Sequence, residues 1–349
     1  MSAQSRLDEY FKKNYYTVCE KSTSFMSSTD FIVYPLQLST ILNIPLFVLA
    51  GYCILQKTPK SIGSTKWAYF NMHIWMCLQS LLTSTLLTPI TWLPTIGSSM
   101  MGLFSYIGVP ETVQFYLFVI VMFVTMSSVV SPFENRHNAI QHNTLRISTS
   151  WVRYLVTSAN YLVSFSFPIP FLFNIPNQES AKLLILQNVP CPQEEFFTLS
   201  VFSISTDANF RLIYMVSMLI FLCSTFVQLL FYAFTCLRYL VFSKSSSFSK
   251  RTIELQKKFF IGILIQVLVP YAFIVPSVSY CCYSVYSNYY NQMLNNFFVL
   301  VFNFYGTVST IGLISCHTAY WKFARKLIMF KSRTDLASNI SVSRNNQIQ

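Results

Sequence analysis

Four histidines, nine cysteines and twelve carboxylates are the residues of this 349-residue chain from which reactive chemistry would have to be built. His73, His137, His142 and His317 are dispersed, no CxxC pair occurs, and no Cys/His cluster has the spacing of metal ligands. No carboxylate pair falls inside an apolar stretch, where a general acid and base would face each other. A Gly-rich loop that would cradle a phosphate is also missing. Catalysis, a metal and a cofactor are therefore not expected. What remains is non-covalent recognition by polar and aromatic side chains embedded in apolar sequence.

The first such group is a stripe with alternating spacing of three and four: Glu111, Gln114, Phe118, Val121, Thr125 and Ser128. On a helix these positions share one face. Polar groups avoid lipid, so the face is expected to look into a helix bundle, either for interhelical hydrogen bonds or for ligand contact by Glu111, Gln114 and Phe118. Asp207 and Arg211 lie four apart, at ion-pair spacing, which would either orient a polar ligand or anchor a helix end. Tyrosines crowd the later part of the chain, Tyr271, Tyr280, Tyr283, Tyr286, Tyr289 and Tyr290 among them. Tyr suits a membrane interface, and some of these, Tyr271 and Tyr280 first, are candidates to line an apolar pocket between helices.

The elements that must position these groups follow from composition. Hydrophobic residues make up 53% of the chain and charged ones only 10%, where a soluble domain carries roughly a quarter. That is too little charge to cover a water-facing surface. Seven runs reach the ~20 apolar residues that a spanning helix needs: Phe31–Leu55, Trp67–Pro89, Val109–Ser131, Tyr154–Phe173, Asp207–Leu237, Phe259–Tyr283 and Leu294–Cys316. The expected fold is an all-α membrane protein, a seven-helix bundle over residues 31–317. A 30-residue polar segment precedes it and residues 318–349 follow. The polar start is not a cleavable signal, so the first apolar run serves for targeting.

The net charge of +12 raises the question of nucleic acid, but the basic residues sit in short loops rather than along one face. Their distribution instead sets orientation. Of 24 Lys and Arg, 18 fall in the segments that are cytoplasmic if the N-terminus is outside, so the positive-inside rule places the N-terminus outside. No half of the chain repeats the other, which lowers the prospect of an inverted-repeat transporter.

On the inner side, Glu134 and Arg136 stand together at the end of the third span. Arg136 either snorkels to headgroups or meets a cytoplasmic partner. Lys257 and Lys258 begin the inner half of the sixth span, and Pro270 midway along it removes a backbone donor, giving a static kink or a moving hinge. After the seventh span, Tyr320, Phe323, Ala324 and Leu327 share one face while Lys322, Arg325 and Lys326 share another, the pattern of a short amphipathic helix on the membrane. From Ser332 the chain is polar and expected to be disordered. Asn339-Ile340-Ser341 fits a glycosylation acceptor on the wrong side. Outside, Cys19 and Cys191 are the two thiols in polar segments, and an oxidising compartment favours their pairing.

With these residues placed, the chain resembles nematode serpentine chemoreceptors of the Str superfamily, class H most closely. The resemblance is carried by GYCILQKTPKSIGSTKW (Gly51–Trp67), FENRHN (Phe133–Asn138), IPNQESAKLLILQNVPCP (Ile175–Pro192), ELQKKFFIGILIQVLVP (Glu254–Pro270) and YYNQMLNNF (Tyr289–Phe297). It implies a G-protein-coupled receptor of the plasma membrane, in the cilium of sensory neurons, that binds an environmental small molecule and signals to a heterotrimeric G protein. By the same analogy FENRHN stands where rhodopsin-like receptors carry Asp-Arg-Tyr, with Arg136 as the basic residue. No Cys stands at the outer start of the third span and no Asn-Pro-x-x-Tyr in the seventh, so the rhodopsin activation scheme transfers only loosely. A seven-span ligand-gated channel, a small-solute transporter and a folded but uncoupled receptor are the alternatives.

Overall fold

A computed structural model of the chain describes residues 3–19, 24–58, 65–140, 145–189, 191–242, 250–327 and 329. The stretch with Asn339-Ile340-Ser341, and residues such as Lys60 and Lys244, lie outside the described residues. Among the described residues, seven long helices form an all-α membrane bundle: Asp30–Tyr52, Thr65–Leu81, Glu111–Ala139, Ser150–Ser166, Ala208–Phe242, Lys250–Ser287 and Gln292–Cys316. Five of them are long and apolar enough by themselves to cross a membrane. The second is a regular helix for 17 residues and gains spanning length by widening into a π-helical stretch, Leu82–Leu87. The sixth runs for 38 residues through Pro270.

Burial ranks the helices. In its most apolar stretch the third helix is 72% buried and the fourth only 17%, so the third is the axis of the bundle and the fourth a lipid-facing flank. Large apolar side chains such as Ile41, Val48, Leu162, Ile220 and Phe234 point outward, exposed to whatever surrounds the helices. Water would penalise that belt and hydrocarbon does not. Between helices, small polar groups supply the specificity that lipid denies to apolar contacts. Asn303 donates to Ser39 Oγ at 3.0 Å, Thr307 to Asn43 Oδ1 at 2.7 Å and Asn43 to Ser80 Oγ at 3.2 Å, tying the seventh, first and second helices. The Ser127 and Ser164 hydroxyls, 2.7 Å apart, join third to fourth, and Asn160 donates to Gln228 Oε1 at 3.0 Å to join fourth to fifth.

The fourth helix ends at Ser166 rather than Phe173 and the sixth begins at Lys250 rather than Phe259, and two further boundaries differ in ways that bear on the site. The second span does not run to Pro89: Thr88 takes a left-handed conformation (φ 44°), its amide turns back to Thr83 O, and Pro89 opens a strand. β1 (Pro89–Trp92) pairs antiparallel with β2 (Gly97–Met100), and β3 (Phe202–Ser203) from the loop before the fifth helix adds to β2. This small sheet forms a cap over one end of the bundle. The third helix, conversely, continues eight residues past Ser131 to Ala139 with Pro132 inside it, so Phe133–Asn138 is helical and packed rather than a boundary.

The cap has its own core. Trp92 and Ile90 on the outer face of the hairpin pack with Leu7 of the N-terminal helix Ala3–Tyr10, with Ile185 of the helix Gln178–Asn188, and with Phe196. Trp92 meets Phe196 edge-on at 5.3 Å. A disulfide joins Cys19 to Cys191, with Cα atoms 5.4 Å apart, and fastens the N-terminal segment to the loop between the fourth and fifth helices. At the opposite end, residues 318–327 form the short helix after the seventh. Tyr320 and Ala324 are buried against the bundle, Lys322, Arg325 and Lys326 are exposed, and the Tyr320 hydroxyl bonds Thr58.

Candidate functional site

Beneath the hairpin lies a cavity of about 140 Å³. A strand alternates its side chains, and here the alternation decides what reaches the cavity. Pro89 and Thr91 of β1, with Ser98 and Met100 of β2, face down into it, while Ile90, Trp92 and Ser99 face up into the cap core. The floor and walls come from the third helix (Phe118, Met122, Met126), the fifth (Tyr214, Met218), the sixth (Ile274, Val278) and the seventh (Phe298, Phe302). Most of the lining is apolar or aromatic, and no charged residue lines the space. Methionine is well suited to such a site, since its flexible thioether adapts to differently shaped guests.

Of the candidate ligand residues, Phe118 lines the cavity and the others do not. Gln114 is fully buried, but its amide donates to Val109 O at 2.7 Å and bonds the Ser105 hydroxyl, closing the loop before the helix. Glu111 accepts from Ser200 Oγ and so binds the loop before the fifth helix rather than the cavity. Thr125 donates to Val121 O and to Trp75 O, an interhelical tie. The polar stripe is therefore rotated toward neighbouring segments, where its hydrogen bonds are met, and the adjacent apolar face of Phe118, Val119, Met122 and Met126 is left to the cavity.

The expected Asp207–Arg211 ion pair is replaced by backbone contacts. Asp207 Oδ1 accepts from Asn209 N at 3.0 Å, and Arg211 donates to Ser205 O and Thr206 O at 3.4 and 3.3 Å. Asp207 thus caps the start of the helix, and Arg211 ties the segment before it to the first turn. Tyr280 donates to Asn295 Oδ1 at 2.6 Å, linking sixth and seventh helices. Tyr271 packs with Phe226, ring centroids 4.9 Å apart, in the core cluster at the far end.

That far end holds the acid and base of the Phe133–Asn138 segment, and separates them. Glu134 is met by Arg153 of the fourth helix, Nε to Oε1 at 2.8 Å and a second guanidinium nitrogen to Oε2 at 3.2 Å, while Asn138 donates to the same carboxylate. Arg136 is only 7% exposed, enclosed near Tyr69 and Cys236, so it does not snorkel to the membrane surface in this conformation. Lys257, Lys258 and Pro270 lie on the sixth helix, and their side chains are outside what the structure describes.

The cap is electrostatically quiet but not featureless. Lys182 donates to Leu199 O at 2.9 Å and lies over the Phe196 ring. Burial pulls its amine below the usual lysine value, against the opposing pull of Glu111 and Asp8. Tyr15 donates to Pro192 O at 2.6 Å, and burial, with Glu194 nearby, pushes its phenol up to about 12.

The family described as "Serpentine type 7TM GPCR chemoreceptor Srh" matches residues 27–330, from the start of the first long helix to the helix after the seventh. The chain belongs to this serpentine chemoreceptor family. A relative in Caenorhabditis elegans, "Serpentine receptor class H-72", is 27% identical over 345 residues, covering 98% of each chain. As a serpentine chemoreceptor, the chain is a multi-pass membrane protein of a receptor family with seven spans, and the seven long helices are those spans.

The residues that sequence reasoning missed are those of the hairpin, above all Thr91, Ile96, Ser98 and Met100. A signal for them existed. Pro89-Ile-Thr-Trp and Gly97-Ser-Ser-Met flank a short turn containing Pro94, and turn residues between two short alternating runs mark a hairpin.

Proposed function

We propose that the chain is a chemosensory G-protein-coupled receptor whose small, neutral, largely apolar ligand occupies the cavity beneath the hairpin. The observation that carries this is the cavity itself: about 140 Å³, walled by four helices and roofed by the cap, without a charged lining group. Dry apolar cavities of about 150 Å³ take up molecules the size of benzene. A charged ligand would lose its hydration here without compensation. In this reading the cap faces outside, in keeping with the positive-inside distribution, and the receptor sits in the plasma membrane, in the cilium of a chemosensory neuron.

The coupling face is then the far end, with Glu134, Arg136, Lys257 and Lys258. Enclosure of Arg136 supports assigning this conformation to an uncoupled state, in which the G protein has no access to it. Opening would swing the inner half of the sixth helix about Pro270, where one backbone hydrogen bond is missing by the chemistry of proline. A ligand drives that opening only by binding the open state more tightly than the closed one.

The test is a panel of small volatile organic compounds applied to cells that express the chain with a calcium or cyclic-nucleotide reporter. An agonist from the panel is expected to lose its response in Met122→Trp, which fills the cavity, with surface expression retained. Arg136→Ala is expected to bind that agonist but not signal. An undiminished response in Met122→Trp at normal surface expression would move the ligand elsewhere.

A further inference from the structure

Ser98 and Thr91 are directly opposed across the hairpin, and both line the cavity. Ser98 is 4% exposed. Among the described residues, neither the Ser98 nor the Thr91 hydroxyl has a hydrogen-bond partner. The neighbouring residues show that this is not a general property of the loop. Ser99, one position on and facing up, accepts from the Trp92 indole at 3.0 Å, and the Thr95 hydroxyl donates to Trp92 O at 2.7 Å. The backbone at Thr91 is engaged as well, with Gln292 and Asn295 of the seventh helix donating to its carbonyl at 3.4 Å each. Only the two hydroxyls on the cavity face are left over.

A buried hydroxyl without a partner is unfavourable, and most buried polar groups in proteins find one. Two of them at directly opposed positions on one strand pair lie close together. Each can donate and accept. Three other polar side chains line the cavity: Thr83, whose hydroxyl already donates to Gln79 O at 2.9 Å; Cys281, whose thiol contacts Met215 Sδ at 3.9 Å; and Tyr214 on the fifth helix, across from the hairpin.

We infer that the Thr91–Ser98 hydroxyl pair is the polar contact of the ligand site, and that its ligand is a compact neutral molecule with an apolar body and one hydrogen-bonding oxygen, a carbonyl or hydroxyl, directed at the hairpin. This rests on the cavity being the ligand site and adds the class of molecule that fits it. The oxygen accepts from one or both hydroxyls while the body lies among Phe118, Met122 and Phe302. Because the hairpin is also held by Gln292 and Asn295, the same contact links ligand occupancy to the outer end of the seventh helix. The position of the pair makes the roof, not the floor, the place where functional groups are told apart.

The experiment uses the purified full chain in lipid nanodiscs and a matched pair of probes, cyclohexanone and methylenecyclohexane, which share shape and differ in the oxygen. Affinity is read from the dose dependence of the thermal unfolding midpoint. The double variant Thr91→Val/Ser98→Ala is expected to weaken cyclohexanone about tenfold, the scale of one lost buried hydrogen bond, and to leave methylenecyclohexane unchanged. Retained hydrocarbon binding reports an intact fold, and Ser98→Ala alone, the smaller change, is expected to show part of the loss. Equal weakening of both probes, or unchanged cyclohexanone binding, would overturn the hydroxyl contact. Met122→Trp separates the two readings: if it abolishes both probes while the double variant changes nothing, the cavity stands and the hydroxyl contact falls. If Met122→Trp leaves both probes bound, or the wild-type chain binds neither, cavity and contact fall together.

Discussion

Arg153 of the fourth helix grips both carboxylate oxygens of Glu134 on the third, at 2.8 and 3.2 Å, and also donates to Asn135 Oδ1 at 3.1 Å. Glu134 is nearly buried while Arg153 keeps access to the surroundings. Of the five helices apolar enough by themselves to cross a membrane, the fourth is the least buried, and this planar, two-point contact fixes its end against the axis of the bundle. Replacing Glu134 by Gln removes the charge and one strong acceptor. The variant is expected to lose on the order of 2 kcal/mol of stability, and Arg153→Lys, which keeps the charge but not the fork, a similar amount. A double-mutant cycle on thermal unfolding of the purified receptor measures the coupling. Strictly additive effects would show that the two side chains do not act together.

Gly102 has no room for a side chain. A Cβ there would sit 2.3 Å from Leu86 O and 2.5 Å from Leu87 N, both backbone atoms that cannot turn away. The close approach brings the end of β2 against the π-helical end of the second helix, where Gly102 N donates to Leu87 O at 2.8 Å. Gly102→Ala is expected to destabilise by about 1–3 kcal/mol or more, as overpacking does, and to lower the surface level of the receptor. By contrast Gly108→Asn, at a left-handed turn with open space around it, is expected to be tolerated. Surface labelling of both variants checks the contrast. Wild-type levels of Gly102→Ala would show that the hairpin can move away from the helix.

Tyr15 gives the cap a pH limit. Its phenol is raised from 10 to about 12 by burial, with Glu194 adding to the shift, because the hydroxyl is held neutral against Pro192 O. A folded-state value above the unfolded one means that the stabilisation is complete below pH 10 and disappears as pH rises toward 12. Attachment of the N-terminal segment is therefore expected to weaken over pH 10–12, read as a falling thermal unfolding midpoint of the purified receptor. Tyr15→Phe is expected to unfold at a lower temperature at neutral pH and to lose this part of the pH dependence. A pH profile identical in Tyr15→Phe would assign the change to another group.

Membership of the Srh family and the run of seven helices were legible in the sequence because both are one-dimensional. Stretches of about 20 apolar residues are what hydrocarbon demands, and a family signature is an order of residue types. The amphipathic pattern of Tyr320, Ala324, Lys322 and Arg325 was readable for the same reason. The partners of individual polar side chains were not. Glu111 and Ser200, Glu134 and Arg153, and Tyr280 and Asn295 are separated by 89, 19 and 15 residues, and nothing in the spacing of one names the other.

What the amino-acid order settled by itself is thus the solvent of each segment, from hydropathy, and the family to which the receptor belongs. The tertiary structure decided which face of each helix is free. A polar group in an apolar surrounding turns toward the nearest group that satisfies it, and that neighbour is set by packing, not by position in the chain. For this reason Gln114, Asp207 and Tyr280 are spent on structure, while Thr91 and Ser98, unremarkable as residues of a loop, are the hydroxyls left facing the cavity.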